Sequence, residues 1–377
     1  MSDFAQLGQT WSNPSIGRID IGSGLKPVII FGGGYHGDDG GDNVGDLGKD
    51  AANRNGTLGT DDNQGNAIFI VDATTGALLW KAVKGATEGY SAATNAYSHP
   101  ALDDSIPADL AAADMNGDGT TDRLYFGDTG GRVWRADLAG SDSSAWTLSV
   151  LLNAGRHFDS AATNDLRFFN RPDIVKSKDS AGNFDAVLIG SGDRENPLDT
   201  TMLNKFFMLK DRATTSGSPS STPLTPTNLA DLTIDCVSAG NCTSSTQDNL
   251  TNRGWFLGLI STGEKNLAAA ITAGGKVFFT TFVPSAPSGT CGLSEGSGFV
   301  YEVSLGDAQP VHNYDTANDL NGLTLDRRDA LGGGGIPVEV VPIGDEYVLI
   351  QGQEVGQNVQ AVSAVTNWRT YWYEITD

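Results

Sequence analysis

Short apolar segments recur along the chain, each bounded by glycine or small polar residues, and they fall into five pairs. Branched and aromatic residues dominate these segments, while apolar positions at helical spacing are nearly absent. In chain order the pairs are 28–31 with 67–80, 124–128 with 133–138, 187–193 with 206–211, 277–281 with 298–303, and 347–350 with 371–375. The pattern predicts an all-β protein.

Five such units, at intervals of roughly 50–90 residues, favour a modified β-propeller with long loop insertions over a sandwich. A blade of a few strands cannot bury both of its faces alone, so it packs against neighbours. The aromatic and branched residues of the strands would fill the space between blades. An irregular double sheet with a similar number of strands stays open as the alternative.

The composition agrees with a large β-protein that has many turns. The chain has 377 residues, of which 39% are hydrophobic, and this is ample for a large core. Glycine, at 48 residues, has nearly double its average share, and charged residues account for 19%.

The net charge of −22, from 24 basic and 46 acidic residues, limits the partners that the surface can take. Such a surface repels the phosphates of nucleic acids and of anionic membranes, so we expect neither as a partner. Metal cations and basic or neutral proteins fit it better. A simpler interpretation is that the charge keeps an exported protein soluble.

The acidic loop at 114–122 carries the strongest chemical signal. Asp114, Asn116, Asp118 and Asp122 stand at loop positions 1, 3, 5 and 9, and a glycine at position 6 allows a sharp turn. This is the front of an EF-hand-type calcium loop, because a hard cation takes six to eight oxygen ligands. The four side chains, the carbonyl of Thr120 and water would supply them. We therefore predict a Ca²⁺ site here.

The loop departs from an EF-hand at its end and in its flanks. Position 12 is Tyr125, so the bidentate glutamate is missing, and the segments at 124–127 and 132–138 indicate strands rather than helices. A calcium loop set into β-structure fits these features. The alternative is an Asp/Asn/Gly-rich turn that holds no metal.

Two insertions interrupt the predicted blades. Residues 35–66 are acidic and glycine-rich, and we favour a solvated loop over disorder or a second weak cation site. Residues 212–250 are rich in Ser, Thr and Pro and indicate a long surface excursion, which could contact a partner.

The three cysteines bear on the cellular compartment. Cys236 and Cys242 are close in a polar loop, which suits a short disulfide and leaves Cys291 over. Other pairings stay open, as do reduced thiols; one disulfide would imply an oxidising compartment. No apolar run is long enough to span a bilayer, and the first residues lack the features of a signal peptide. We expect that export uses a segment outside this sequence, or that the chain is a piece of a longer one.

The sequence resembles the C-terminal propeller of the PilY/PilC family, which comprises type IV pilus biogenesis factors and tip adhesins. The segments that carry the resemblance are 9–19, 28–35, 113–138 with the acidic loop, 171–172, 190–194, 263–265 and 367–369. They span most of the chain, so the resemblance implies one propeller domain over residues 1–377. The family's calcium ligands carry over to Asp114, Asn116, Asp118, Thr120 and Asp122.

The resemblance also implies partners and a location. The family's propeller is a modified seven-bladed one, whereas about five units are visible here. Two earlier blades, and a variable adhesive region before them, would lie upstream or on a separate chain that completes the propeller. The protein would be extracellular, at the bacterial pilus tip above the minor pilins, where it supports pilus extension, surface adhesion and twitching motility. The upstream region would contact a host or surface ligand.

An enzyme is the main competing class, although we expect no catalytic residues. Residues 72–80 resemble the Asp-x-x-Thr-Gly-x-x-x-Trp strands of quinoprotein dehydrogenases, which use calcium to orient a quinone. The same turn is also a common structural motif of blades. The chain has no Gly-x-Ser-x-Gly elbow, and its histidines are widely spaced: His36, His99, His157 and His312. The other alternative, an integrin-like calcium-binding adhesion module, normally carries several acidic loops, and one good copy is present here.

Overall fold

The computed structural model describes residues 3–36, 62, 64–138, 140–155, 158–159, 161–214, 222–285, 295–313, 326–332, 334–343, 346–351 and 354–359. Within these residues the chain is almost entirely β, with one nine-residue α-helix. No helix in this part of the chain has the length and apolar character that a membrane span needs. The prediction of an all-β fold is confirmed.

The first two sheets contain the strands β1 to β10. Their bounds are β1 Ser15–Asp20, β2 Leu25–Gly32, β3 Ala67–Asp72, β4 Leu78–Lys84, β5 Gly89–Ser91, β6 Ala96–His99, β7 Ala111–Ala113, β8 Arg123–Gly127, β9 Arg132–Asp137 and β10 Thr147–Asn153. Sheet 1 has the order β1-β2-β3-β4-β6-β5, and sheet 2 has the order β10-β9-β8-β7.

The other three sheets contain β11 to β22, and the helix lies between two strands of sheet 3. The bounds are β11 Asp173–Asp179, β12 Gly182–Gly190, β13 Lys205–Asp211, β14 Ala230–Asp231, α1 Ser244–Asn252, β15 Gly254–Gly258, β16 Ile271–Ala273, β17 Lys276–Val283, β18 Ser297–Ser304, β19 Arg328–Ala330, β20 Val340–Ile343, β21 Glu346–Gln351 and β22 Glu354–Val359. Sheet 3 has the order β11-β12-β13-β15-β14, sheet 4 β16-β17-β18-β19, and sheet 5 β20-β21-β22.

Each of the five predicted units corresponds to one of these sheets. The predicted pairs form central strands of sheets 1 to 4, for example β8 with β9 and β17 with β18. In the fifth unit the predicted strand at 347–350 is part of β21, which pairs with β20 and β22. Its predicted partner at 371–375 lies outside the described residues.

Large apolar side chains fill the spaces between successive sheets, as expected for blades. Trp80 of sheet 1 lies edge-on against Trp146 beside sheet 2, with ring centroids 5.9 Å apart. Phe206 of sheet 3 stacks on Phe279 of sheet 4 at 3.8 Å. Sheets 2 and 3 share a third core, and Val340 packs sheet 5 against sheet 4. Phe4 packs on the remaining face of sheet 1.

The strands that come first in the chain in each of sheets 1 to 4 contact one another. β7 contacts β1 on one side and β11 on the other, and β11 contacts β16. Since these strands belong to four different sheets, they meet where the sheets converge. A loop that leaves one of these strands, such as the one between β7 and β8, therefore starts close to the neighbouring sheets.

The prediction of a wholly surface-exposed excursion at 212–250 is wrong for part of that segment. Leu229, Ala230 and Leu232 are buried, and β14 pairs in parallel with β15. The reason is that these apolar residues extend sheet 3 at its edge and pack beneath α1. Cys236 and Cys242 form a disulfide beside this strand; Cys291 lies outside the described residues.

The solvated-loop interpretation of 35–66 does not hold for Asp62, which is buried. Its carboxylate accepts hydrogen bonds from the backbone N–H and the hydroxyl of Ser105, at 2.7 and 2.5 Å. These two donors replace the water that a carboxylate loses on burial. Residues 37–61 and 63 of the insertion lie outside the described residues.

Candidate metal centre

The acidic loop connects β7 to β8, so it lies where three sheets approach one another. The N–H of Asp122 donates to the carbonyl of Ala113 at 2.9 Å, which closes the loop at its base. Gly117 and Gly119 have φ angles of 82° and 85°, a left-handed region that other residues rarely adopt. The two glycines therefore allow the backbone to turn sharply between the acidic residues.

Asp114, the first predicted ligand, organises the tip of the loop. One of its carboxylate oxygens accepts from the N–H groups of Asn116 and Gly117, at 3.2 and 2.6 Å. The other accepts from the N–H of Gly119 at 2.8 Å. Donors at two, three and five residues further on wrap the backbone around this side chain.

Asp118 accepts hydrogen bonds from both Asn116 and Thr120. Asp118 Oδ1 accepts from the N–H and the hydroxyl of Thr120, at 2.8 and 2.5 Å. Its other oxygen accepts from the side-chain amide of Asn116 at 2.9 Å. Hydrogen bonds from Thr120 and Asn116 lower the pKa of Asp118, because they favour the charged carboxylate.

Asp122 differs from the other two carboxylates because it is buried. Burial raises the pKa of Asp122, the N–H of Met115 at 2.7 Å opposes that rise, and the negative charges of Asp118 and Asp114 add to it. The negative charges of Asp114 and Asp118 thus act on the carboxylate of Asp122. A cation placed among them would relieve this repulsion.

The donor set of the loop fits a hard divalent cation. Every predicted ligand atom is an oxygen, and a carboxylate oxygen has more than one site for a donor or a metal. The side chains do not yet surround a common point: among the described residues, no three His, Cys, Asp or Glu side chains are gathered as a metal cluster. To bind an ion, Asn116 would have to release the hydrogen bond from its side-chain NH2 group to Asp118 and present its amide oxygen to the metal.

Two residues outside the loop contact its backbone, and the sequence gives no indication of either contact. The ammonium group of Lys176, on β11 of sheet 3, donates to the carbonyls of Asp114 and Met115 at 2.8 and 2.9 Å. On the opposite side, the N–H of Thr121 donates to the carbonyl of Arg18, on β1 of sheet 1, at 2.7 Å. Both partners lie far away in the sequence, and neither stands in a recognisable motif.

A buried ion network begins directly after the loop, at the first residue of β8. Arg123 donates to Asp137 and to Asp185, each at 2.8 Å, and Arg135 donates to both oxygens of Asp211. Asp185 and Asp211 belong to sheet 3, so the network joins it to sheet 2. Sequence analysis missed these residues because single charges in apolar strands resemble exposed positions.

The turn at 72–80, which resembles the quinoprotein signature, has a structural role here. Asp72 accepts from the N–H groups of Thr74 and Thr75, and Gly76 follows with a φ of 73°. Trp80 is fully buried between sheets 1 and 2. These contacts shape the hairpin between β3 and β4.

The described histidines lie apart from one another. His99 Nδ1 accepts from the N–H of Ala101, and burial lowers the pKa of His99. His36 lies 3.5 Å from Asp62, but the Ser105 hydroxyl donates to that aspartate rather than to an imidazole nitrogen. Because the serine donates to a carboxylate and not to a histidine, no histidine base activates it as a nucleophile. His157 lies outside the described residues.

Comparison with known sequences gives one informative relative. No family model matches the chain. A type IV pilus biogenesis factor PilY1 homolog of Xylella fastidiosa is 26% identical over 265 residues. The match covers 64% of this chain and 17% of the relative, so this chain spans only about a sixth of that protein's length.

Comparison with solved structures addresses the fold. The C-terminal domain of Pseudomonas aeruginosa PilY1 matches with a TM-score of 0.60 and 16% identity, over 93% of this chain and 72% of that one. Two further matches have TM-scores too low for a detailed comparison. They are the quinohemoprotein alcohol dehydrogenase of Comamonas testosteroni (0.39, 10% identity, 92% of this chain, 40% of that one) and BamB of Moraxella catarrhalis (0.27, 12%, 89% and 81%). The predicted resemblance is confirmed: this chain is similar in sequence to a PilY1 homolog and has the modified propeller fold of a PilY1 C-terminal domain.

Proposed function

We propose that this chain is the C-terminal domain of a type IV pilus biogenesis factor, and that it acts by binding Ca²⁺ at residues 114–122 without catalysing a reaction. The sequence similarity to a PilY1 homolog and the shared fold support the role in pilus biogenesis. Because the chain matches 17% of that relative, the activity of the whole protein is part of the proposal.

The spacing of oxygen-bearing side chains at loop positions 1, 3, 5 and 9, with three carboxylates among them, carries the calcium part of the proposal. Asp122 is buried, and the charges of Asp114 and Asp118 act on it directly. At a free calcium concentration of about one hundred times the dissociation constant, binding would stabilise the loop by roughly 2.7 kcal/mol. This is enough to order a local surface, while the large cores between the sheets decide whether the domain folds.

The setting that we propose is the bacterial cell surface, with the domain at the pilus tip. There it would contact the minor pilins and the upstream adhesin region, which in turn would bind a host or surface ligand. The net charge of −22 supports cations and basic proteins as partners over nucleic acids. Through calcium the domain would support pilus extension, adhesion and twitching motility.

Calcium titration calorimetry on the metal-free domain tests the loop assignment. Asp118→Ala removes a predicted ligand together with two hydrogen bonds from Thr120 and one from Asn116. Asp142→Ala is a matched control, because Asp142 accepts from the N–H and the hydroxyl of Ser144 at 2.9 and 2.6 Å in the same arrangement. Both variants therefore lose the pair of hydrogen bonds from the residue two positions further on, but only Asp118 belongs to the predicted metal site.

We expect the wild type and D142A to bind one calcium ion, and D118A to lose binding with its circular dichroism near native. Equal binding by D118A and D142A would refute the ligand assignment. The role in biogenesis is tested separately by counting surface pili on cells that carry or lack the full-length protein. Unchanged pilus numbers in cells that lack it would refute that part.

A further inference from the structure

The calcium loop is tied at both ends to the sheets on either side of its own. At its start, Lys176 Nζ donates to the carbonyls of Asp114 and Met115. At its end, the N–H of Thr121 donates to the carbonyl of Arg18. A Cβ added at Gly17 would lie 2.6 Å from the Thr121 hydroxyl, so β1 approaches the loop closely.

Lys176 acts on the backbone of the first predicted ligand residue. The side chain of Asp114 faces inward to the loop amides, while its carbonyl faces outward to Lys176. The residue is thus fixed from both sides. Since Lys176 belongs to β11, the position of this ligand depends on where β11 lies relative to β7.

We propose that Lys176 is a positioning residue for the calcium loop, and that it couples calcium binding to the contact between strands β7 and β11. This inference rests on the calcium site proposed above. Without Lys176 the start of the loop would be free to move, and calcium would have to order it on binding. By linkage, a bound ion would in turn hold β11 in place.

Electrostatics and positioning predict opposite signs when Lys176 is replaced. The ammonium group and Ca²⁺ carry like charges, so removing the ammonium alone should strengthen calcium binding. Losing the two hydrogen bonds should weaken it, because the loop is then less ordered. Lys176→Met therefore distinguishes a positioning role from that of a nearby charge.

Lys178→Met is the matched control. Lys178 is exposed, like Lys176, and lies two residues further along β11. Its replacement removes the same charge from the same strand and leaves both carbonyl hydrogen bonds of Lys176 in place.

The experiment combines calcium titration calorimetry with hydrogen exchange of the wild type, K176M and K178M. We expect K176M to bind calcium about threefold to tenfold more weakly, as for the loss of hydrogen bonds from a charged donor at an exposed site. K178M should bind as tightly as the wild type or slightly tighter. Calcium should slow amide exchange in β11 of the wild type and K178M, but not of K176M.

Equal calcium affinity in K176M and K178M, with β11 still protected by calcium in both, would overturn the proposal. Failure of the wild type to bind calcium would refute the proposed metal site instead. In that case, amide hydrogen exchange measured in the absence of metal decides the role of Lys176. Faster exchange at Gly117 and Gly119 in K176M than in K178M supports the positioning role, and equal rates refute it.

Discussion

The hydroxyl of Tyr35 donates to the carboxylate of Glu195 at 2.5 Å, although 160 residues separate them. Tyr35 follows β2 of sheet 1, and Glu195 follows β12 of sheet 3. The bond therefore links sheets 1 and 3 directly, without a residue of sheet 2. Burial, together with the charge of Glu195, raises the pKa of Tyr35. The bond connects two sheets that are not neighbours in the order of the fold.

Replacing Tyr35 by Phe should lower the free energy of unfolding by about 1.5 kcal/mol, the lower end for a hydrogen bond to a charged group, because the Glu195 carboxylate is partly exposed. Urea denaturation measures the change. Tyr90→Phe is the control, since its hydroxyl contacts Asn95 only five residues away, at 3.3 Å. A loss in Y35F no larger than that in Y90F would show that the bond between the sheets adds nothing to stability.

The buried ion network predicts a larger effect. Arg135→Met leaves Asp211 and Asp137 with less compensation in a buried site, so we expect a loss of about 3–5 kcal/mol. The double variant R135M/D211N should lose less than the sum of the single losses, because both remove the same interaction. Lys26→Met serves as the control, since Lys26 pairs with Asp72 at a partly exposed site and its loss should cost much less than that of Arg135. Additive losses for Arg135 and Asp211 would contradict a coupled network.

The pH dependence of stability should carry a contribution from Asp128. Burial, and then the charge of Asp104, raise the pKa of Asp128 to about 7 in the folded protein. The unfolded chain releases this proton near pH 4, as model peptides do. The stabilising contribution is therefore complete below about pH 4 and is lost as the pH rises towards 7.

Asp104→Asn removes the neighbouring charge, so it should bring the pKa of Asp128 down and flatten this loss. Between pH 4.5 and 7.5, the wild type should lose at least about 1 kcal/mol more of its unfolding free energy than D104N does. Urea denaturation across this range gives the slopes. Asp248→Asn, on the exposed face of α1, should leave the slope unchanged. Parallel slopes for D104N and the wild type would contradict the coupling.

The sequence predicted the elements that bury apolar side chains on both faces. Strands such as β3 and β8, in which every residue is buried, stand out by their apolar runs at 67–71 and 124–126. Strands β7 and β11 were missed. β7 is three alanines, and β11 has one Ile-Val pair followed by the polar run Lys-Ser-Lys-Asp, so neither stands out as a strand. They form strands because a neighbouring strand of the same sheet pairs with them.

The candidate site was predictable to a similar extent. The spacing of acidic residues and glycine at 114–122 identified the loop, because its hydrogen bonds are local. Lys176 and Arg18 were not predictable, since they reach the loop only after three sheets have packed together. Local chemistry can be read from spacing, whereas contacts between sheets depend on the completed fold.

Anomalous difference density from crystals of the domain grown with millimolar calcium tests the central claim most directly. The account predicts one strong peak within about 2.3–2.6 Å of side-chain oxygens from Asp114, Asn116, Asp118 and Asp122, and of the Thr120 carbonyl. Density for water alone among these oxygens, at a calcium concentration that saturates known calcium-binding proteins, would contradict it.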